Sequence, residues 1–262
     1  MQLTTDDTLD YTVDAFHRGA FHLVQPARKG HRAGTDAMML AASVPSSFAG
    51  HVIDLGSGAG AAGLGVGSRC PLSRVTLLER SPDMVAFARR SIALPENAHL
   101  ASRSTVIMAD VRMPADERRV LLADASLDWV IMNPPFNSAL DHATPDPLRR
   151  EAHVMEDANV FKDWLATAAY LVRPGGGVSV IARPQSLNHI LNAMRPHFGR
   201  QEVKPLYPRV EKSAIRIVVR ARRGAADEVT LAPPLILHEP GSNRLSQAAD
   251  DISNGRSSLF SD

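Results

Sequence analysis

The chain has 262 residues, of which 44% are hydrophobic and 22% charged, and its formal net charge is +1 at pH 7. Such a chain can bury a full hydrophobic core, so we expect one large folded domain with small appendages and exclude a largely disordered protein. The single cysteine, Cys70, excludes an internal disulfide. The ten histidines show no Cys/His spacing typical of zinc ligands, so no metal is expected.

Two features of the sequence bear on its location. No uninterrupted apolar run approaches the roughly 18 residues that a membrane-spanning helix needs. The first 14 residues carry four aspartates, which is the wrong charge for a secretory or organellar presequence. A cytoplasmic location is therefore the expectation.

The segment before residue 50 contains one clear element. Residues 1–24 are weakly patterned, and a polar loop with Lys29 and Arg32 then leads to an apolar helix predicted over 37–42, with Asp36 near its start. A polar loop above a helix N-terminus can bind an anion. On this segment alone, however, the ordinary entry of a surface helix is the simpler interpretation.

A short apolar strand, predicted over 51–56, runs directly into a glycine-rich turn. The glycines of this turn are Gly56, Gly58, Gly60 and Gly63. A strand, a glycine turn and a helix are typical of the first unit of a doubly wound α/β fold. The spacing of the last three glycines also fits a dinucleotide fingerprint, so an NAD-dependent oxidoreductase is an alternative. The next strand, 74–78, ends at Glu79, whose carboxylate can accept the ribose hydroxyls of either cofactor.

Two further predicted strands end in residues with hydrogen-bonding side chains. The strand over 104–109 ends at Asp110, and the strand over 127–132 ends at Asn133-Pro134-Pro135-Phe136. Because proline lacks the N–H that a central strand needs, the sheet stops here and holds the Asn133 amide and the Phe136 ring at a strand end. An amide beside an aromatic ring can bind a flat ring that bears an amine. Ligands bind at the carboxyl ends of strands in open α/β sheets, so this edge is the predicted site.

The second half of the chain is predicted to complete the sheet. A long polar loop over 137–154 is interpreted as a lid over the substrate. Helices are predicted over 161–172 and 186–198, and strands over 178–182, 203–207 and 214–219, which gives seven strands in all. Beyond residue 224 only a short strand over 235–237 is predicted, and the polar tail 241–262 is expected to be flexible.

Charge is concentrated in one part of this half. Residues 195–223 contain nine Lys/Arg against two Glu. Such a run is either the solvated face of a strand and its flanks or a surface for the backbone of a nucleic acid, and charge alone does not separate the two.

Four of these motifs resemble, in order and spacing, the class I S-adenosylmethionine-dependent methyltransferases that methylate amino groups. The motifs are Asp54-x-Gly56-x-Gly58-x-Gly60, Glu79, Asp110 and Asn133-Pro134-Pro135-Phe136. Two further pairs of stretches resemble the bacterial tRNA(1)(Val) adenine N6-methyltransferase group. They are Gln25-Pro-x-x-x-Gly30-x-Arg32 with Asp36-Ala-x-x-Leu-Ala-Ala42, and Pro205-Leu-Tyr-Pro-Arg209 with Ala214-x-Arg216-x-Val-Val.

The resemblance implies a Rossmann-like, seven-stranded class I methyltransferase sheet with helices on both faces and S-adenosylmethionine as cofactor. It implies a catalytic group made of Asn133, Pro134, Pro135 and Phe136. The cofactor is expected to contact Arg32, Asp36, Asp54, Gly56, Gly58, Gly60, Glu79, Asp110, Val111 and Asn133. RNA is expected to contact Lys29, Arg149, Arg150, Arg209, Lys212 and Arg216.

The substrate implied by the resemblance is tRNA, methylated at adenine N6 in the anticodon loop. The same motif serves methyltransferases of ribosomal RNA guanine and of protein glutamine, which are the alternatives within the class. An NAD-dependent oxidoreductase and a non-catalytic RNA-binding module are the alternatives from other classes. We expect an N-terminal extension that covers the cofactor (1–45), the methyltransferase domain (46–224), and a C-terminal strand and tail (225–262).

Overall fold

The computed structural model describes residues 10–27, 33–123, 125–135 and 147–261, with the backbone alone over 147–158. The strands are β1 (Tyr11–Phe16), β2 (Phe21–Pro26), β3 (His51–Leu55), β4 (Arg74–Glu79), β5 (Ser104–Met108), β6 (Leu127–Met132), β7 (Val172–Ala182), β8 (Phe198–Tyr207), β9 (Arg216–Arg223), β10 (Val229–Leu231) and β11 (Leu235–Ile236). The helices are α1 (Thr35–Ala41), α2 (Ala61–Arg69), α3 (Pro82–Ala93), α4 (Ala98–Ala101), α5 (Ala115–Leu121), α6 (Pro147–Leu171), α7 (Leu187–Met194) and α8 (Gln247–Ser253).

One large sheet organises the fold. Its strand order is β5-β4-β3-β6-β7-β9-β8-β10, and β11 also pairs with β8. Strands β3 to β7 pair in parallel, whereas β9 is antiparallel to both of its neighbours. Strands β3 to β9 are the seven that the sequence predicts, and β10 and β11 extend that sheet at one edge. The predicted fold class is confirmed.

Each face of the sheet carries its own hydrophobic core. One core packs β2, α1, α2, α3 and α8 against the sheet, and the other packs α6 and α7 against the opposite face. Alternate residues of β3 serve the two cores, with Val52 on the first face and Ile53 and Leu55 on the second. This alternation is what a strand covered on both faces requires.

The register of the parallel strands brings their carboxyl ends to one edge. Leu55 of β3 lies opposite both Leu78 of β4 and Met132 of β6, and Glu79 of β4 lies opposite Met108 of β5. The segments that follow these strands therefore leave the sheet side by side. Outside the large sheet, β1 and β2 form an antiparallel hairpin.

Two expectations about irregular segments differ from the structure. The loop predicted over 137–154 is partly helical, because α6 begins at Pro147. Proline suits the first turn of a helix, whose N–H groups have no intrahelical acceptor. The remainder of the predicted lid, up to residue 146, lies outside the described residues.

The tail expected to be flexible is packed against the first core. It contains α8, whose N-cap Ser246 accepts a hydrogen bond from the Ala249 N–H. Ile252, Leu259 and Phe260 are buried, and the Leu259 N–H donates to the Ala42 carbonyl over 2.7 Å. A few well-spaced apolar residues are thus enough to anchor a mainly polar segment. Among the described residues, no helix is long and apolar enough to cross a membrane.

Candidate active site

The glycine turn after β3 has a backbone that only glycine adopts without strain. Gly56 has φ +68° and Gly58 has φ +56°. A Cβ on Gly56 would lie 2.4 Å from the Trp164 ring of α6, so this position is also crowded. A Cβ on Gly58 would meet no atom within 4 Å, so the turn faces open space at that residue. The backbone there is accessible to a ligand.

Glu79 is held beside this turn by three backbone amides. Its Oε2 accepts a hydrogen bond from the Gly58 N–H over 2.9 Å, and its Oε1 accepts from the N–H groups of Arg80 and Ser81 over 2.9 and 2.8 Å. These bonds join the end of β4 to the turn after β3. They fix a carboxylate next to the glycine backbone.

Asp54 lies beneath the turn and is only 2% exposed. Its Oδ2 accepts a hydrogen bond from the Gly63 N–H in the first turn of α2 over 2.8 Å. Burial raises the pKa of this carboxyl to about 7, and the negative charge of Glu79 acts in the same direction, while the Gly63 N–H opposes the rise. Asp54 therefore orients the glycine turn against α2 and populates both protonation states near neutral pH.

Asp110 and Val111 follow β5 at the same edge. The Asp110 carboxylate accepts from the Arg112 N–H over 2.8 Å and pairs with Arg80 at 3.3 Å, with 43% of its side chain exposed. Val111 is buried, and its carbonyl accepts a hydrogen bond from the Thr167 hydroxyl of α6 over 3.0 Å. The Asp110 side chain faces solvent, whereas Val111 is buried and its carbonyl is held by α6.

Asn133 leaves the sheet one residue beyond Met132, which pairs with Leu55 of β3 and with Val180 of β7. Asn133 is half-buried, Pro134 is buried and Pro135 is exposed. Among the described residues, the Asn133 amide has no hydrogen-bond partner, so its oxygen and nitrogen are available to a ligand. The amide thus lies at the strand end adjacent to the glycine turn. Phe136 lies outside the described residues.

Comparison with known proteins shows which family this chain belongs to. A family model described as the methyltransferase small domain matches residues 31–205, which is more than half of the chain. The chain belongs to the methyltransferase small-domain family. This membership confirms the predicted methyltransferase class and its cofactor, S-adenosylmethionine, and it gives no support to an NAD-dependent oxidoreductase.

Three relatives of this methyltransferase have different descriptions, and two of these name a substrate. A solved structure from Agrobacterium tumefaciens, described as a predicted O-methyltransferase, is 39% identical, with a TM-score of 0.73, covering 85% of this chain and 97% of that one. A release factor glutamine methyltransferase of Deinococcus radiodurans is 30% identical over 180 residues, 66% of this chain and 58% of that protein. A tRNA1(Val) (adenine(37)-N6)-methyltransferase of Porphyromonas gingivalis is 29% identical over 154 residues, 57% of this chain and 58% of that protein. The chain thus spans little more than half the length of these two curated relatives.

Of the predicted site residues outside the strand ends, some are engaged in contacts within the chain and one is exposed. Asp36 of the methyltransferase, predicted to contact the cofactor, is paired with Arg216, predicted to contact RNA, over 2.7 Å. Arg209 donates to the carbonyls of Glu239 and Ser242 and to the Asn243 amide oxygen, at 3.1, 2.7 and 2.9 Å. Lys212, in contrast, is exposed. Lys29 and Arg32 lie outside the described residues, as do the side chains of Arg149 and Arg150.

The sequence did not reveal three residues that shape the site of this methyltransferase. Trp164 and Thr167, on one face of α6, pack under Gly56 and hold the Val111 carbonyl. The hydroxyl of Ser57 is buried in the glycine turn and has no hydrogen-bond partner among the described residues. The helical spacing of Trp164 and Thr167 identifies a buried face but not what it packs against. The sequence signal that could have identified Ser57 was its position between Gly56 and Gly58.

Proposed function

We propose that this methyltransferase transfers the methyl group of S-adenosylmethionine to the exocyclic amine of a nucleic-acid base, with adenine N6 in the anticodon loop of a tRNA as the expected substrate. The observation that carries the proposal is the Asn133 amide, which is free among the described residues at the end of β6 and adjacent to the glycine turn. The Porphyromonas relative supports the tRNA substrate.

The strand-end residues suit the cofactor. The open space at Gly58 leaves room for a ligand to approach the backbone of the turn. Glu79 would accept the ribose hydroxyls, and Asp110 would accept the adenine amine. When bound, S-adenosylmethionine supplies a methyl group on a sulfonium, which needs no activation by a metal.

The Asn133-Pro134 pair would orient the substrate amine. The Asn133 oxygen and the Pro134 carbonyl are acceptors that can each take one of its two hydrogens. An amine held in this way turns its lone pair away from both acceptors. Alignment of this kind can contribute up to about 7–11 kcal/mol to lowering a barrier. The N–C bond would form as the C–S bond breaks, and the methylated nitrogen would then release one proton to water, so the proposal assigns no general base. In the proposed substrate, the target base would have to be splayed out of the anticodon loop.

A protein glutamine is the second candidate, because the Deinococcus relative is described as a glutamine methyltransferase. A side-chain amide presents the same planar nitrogen with two hydrogens. The RNA proposal is favoured by the description of the Porphyromonas relative and by the exposed Lys212 within the basic run 195–223. Since Arg209 and Arg216 are engaged within the chain, the exposed Lys212 gives the cleaner test of RNA contact. Lys212→Glu should weaken tRNA binding and reduce its salt dependence without changing cofactor affinity.

The proposal is tested by methyl transfer from labelled S-adenosylmethionine to bulk tRNA and, in parallel, to a bacterial release factor. The wild type should label tRNA, and Asn133→Ala should reduce labelling by a factor on the order of 100 or more, as loss of a positioned hydrogen-bonding group does at other active sites. Asn192→Ala, on the exposed face of α7, is the matched control and should keep full activity. Labelling of the release factor alone would replace the RNA proposal with the glutamine one. A cytoplasmic location stays a prediction.

A further inference from the structure

A cavity of about 410 Å³ lies between β8 and the C-terminal segment. It is lined by Lys204, Arg256, four serines and the apolar pair Leu259 and Phe260, and none of the strand-end residues takes part. The described residues that line it thus present two cations and four hydroxyls, and none of them carries a carboxylate. Such a lining offers many hydrogen-bond donors and favours a ligand that is rich in acceptors and negatively charged.

Lys204 is the charge in this cavity that lacks an acceptor. Among the described residues its ammonium forms no hydrogen bond or ion pair, and its nearest recorded neighbour is the Phe260 ring, with the centroid 5.9 Å from Nζ. The neighbouring carboxylate, Glu202, is bonded to Arg220 at 2.5 and 3.3 Å. The Lys204 ammonium is not closed off from solvent and so depends on water for its acceptors, and an anion in the cavity would supply a charged acceptor instead.

The other charges around the cavity balance one another. Arg256 pairs with Asp250 at 2.7 Å and with Asp251 at 2.6 Å, so its positive charge is already compensated. Burial, and then the charge of Arg220, lowers the pKa of Lys204, while Glu202 acts in the opposite direction. A bound anion would raise the pKa of Lys204, against the effects of burial and of Arg220. The uncompensated charge of the cavity is therefore that of Lys204.

The C-terminal segment that lines the cavity is fixed at three points. Arg220 donates to the Ser261 carbonyl over 3.0 Å, and Arg69 donates to the Ser258 hydroxyl over 3.1 Å. The Leu259 N–H donates to the Ala42 carbonyl over 2.7 Å. Because these bonds hold the C-terminal segment in place without a ligand, little ordering would have to accompany binding.

We propose that this cavity binds a phosphate group, with Lys204 as its charge partner and the hydroxyls of Ser257 and Ser261 as additional donors. A phosphate carries several acceptor oxygens around one centre, so it can accept from an ammonium and from neighbouring hydroxyls at the same time. At about 410 Å³ the cavity has room for more than a phosphate group, so it could also hold part of a larger phosphorylated molecule. A free phosphorylated metabolite and the backbone of an RNA present the same group.

The test is titration of the full-length protein with inorganic phosphate at constant ionic strength, followed by calorimetry and by ³¹P line width, with chloride as the reference anion. The wild type should bind saturably. Lys204→Met, which keeps the aliphatic stem, should weaken binding roughly tenfold or more, and Lys204→Arg should largely retain it. Lys162→Met removes an exposed lysine from α6 and should leave the affinity unchanged. Thermal unfolding of each variant verifies that it is folded.

Failure of saturable binding by the wild type would overturn the proposal, and so would equal affinity in the wild type and Lys204→Met. A tRNA-binding assay distinguishes the two sources of phosphate. If the ligand is the RNA backbone, Lys204→Met weakens tRNA binding and phosphate competes with tRNA. If it is a free phosphorylated molecule, the variant loses phosphate binding but keeps tRNA affinity. Neither readout depends on methyl transfer, so the proposal can fail or succeed independently of the proposed activity.

Discussion

The buried carboxyl of Asp54 makes a quantitative prediction about stability and pH. Burial raises its pKa in the folded protein from 3.8 to about 7. Below pH 3.8 the carboxyl is protonated in both states, so it imposes no penalty on folding. As the pH rises from 3.8 to 7, the unfolded chain loses this proton while the folded chain retains it. Stability therefore falls over this window and levels off above pH 7.

The size of the effect follows from the two pKa values. At about 1.36 kcal/mol for each pH unit, the interval between 3.8 and 7 corresponds to about 4 kcal/mol of unfolding free energy. The substitution Asp54→Asn removes the ionisable group and keeps an oxygen that can accept the Gly63 N–H. The variant should therefore gain about 4 kcal/mol relative to the wild type between pH 4 and pH 8.

The assay is urea unfolding of both proteins at intervals between pH 4 and pH 8. The difference between the two curves is the observable, because His17 contributes a slope of the opposite sign. Burial, and then the Arg69 charge, lowers the pKa of His17 to about 4, so the stability it contributes is lost as the pH falls below 6.5. Asp83→Asn, an exposed site at the start of α3, is the control and should change stability by under about 1 kcal/mol. A difference curve for Asp54→Asn that is flat with pH would refute the assignment of a proton to the buried carboxyl.

Three further predictions concern the backbone, the cofactor and an ion pair. Gly56→Ala should lower the free energy of unfolding by about 2–5 kcal/mol in thermal or urea unfolding, because strain at φ +68° adds to the collision with Trp164. Gly19→Ala, in open space at φ +89°, should lower it by only about 1–2 kcal/mol. Equal losses in the two variants would contradict the crowding at Gly56. Glu79→Gln should weaken S-adenosylmethionine binding by roughly 10–100-fold in calorimetry, whereas Glu96→Gln, at an exposed position, should leave the affinity unchanged. Equal affinity in the wild type and both variants would remove Glu79 from the cofactor site. A double-mutant cycle on the free energy of unfolding should give a coupling energy between Asp36 and Arg216 of about 0.2–1 kcal/mol that shrinks in 1 M salt. Zero coupling at low salt would mean that the pair does not form in solution.

The strand-end residues could be predicted from the sequence because each one follows a local rule. A buried run of β-forming residues followed by glycine, an acid or Pro-Pro defines both the strand and its end. Parallel strands in an open sheet then place Asp54, Glu79, Asp110 and Asn133 at one edge without further information. No knowledge of distant contacts is needed for this part of the site.

The parts that could not be predicted depend on contacts between distant residues. Trp164 lies under Gly56, more than 100 residues away in the chain, and Asp36 meets Arg216 across 180 residues. In the C-terminal segment, Ala249, Ile252, Leu259 and Phe260 are too sparse to form a recognisable period. Their burial becomes clear only when α1 and β8 offer a surface to cover.

In the proposed function, the Asn133 amide directs methyl transfer to the amine of a base. The most direct test is nucleoside analysis of tRNA after reaction with labelled S-adenosylmethionine, with the wild type and Asn133→Ala compared in the same digest. We predict N6-methyladenosine in the wild-type reaction and its loss in the variant. A methyl group found on oxygen, or equal methylation by both proteins, would contradict the account.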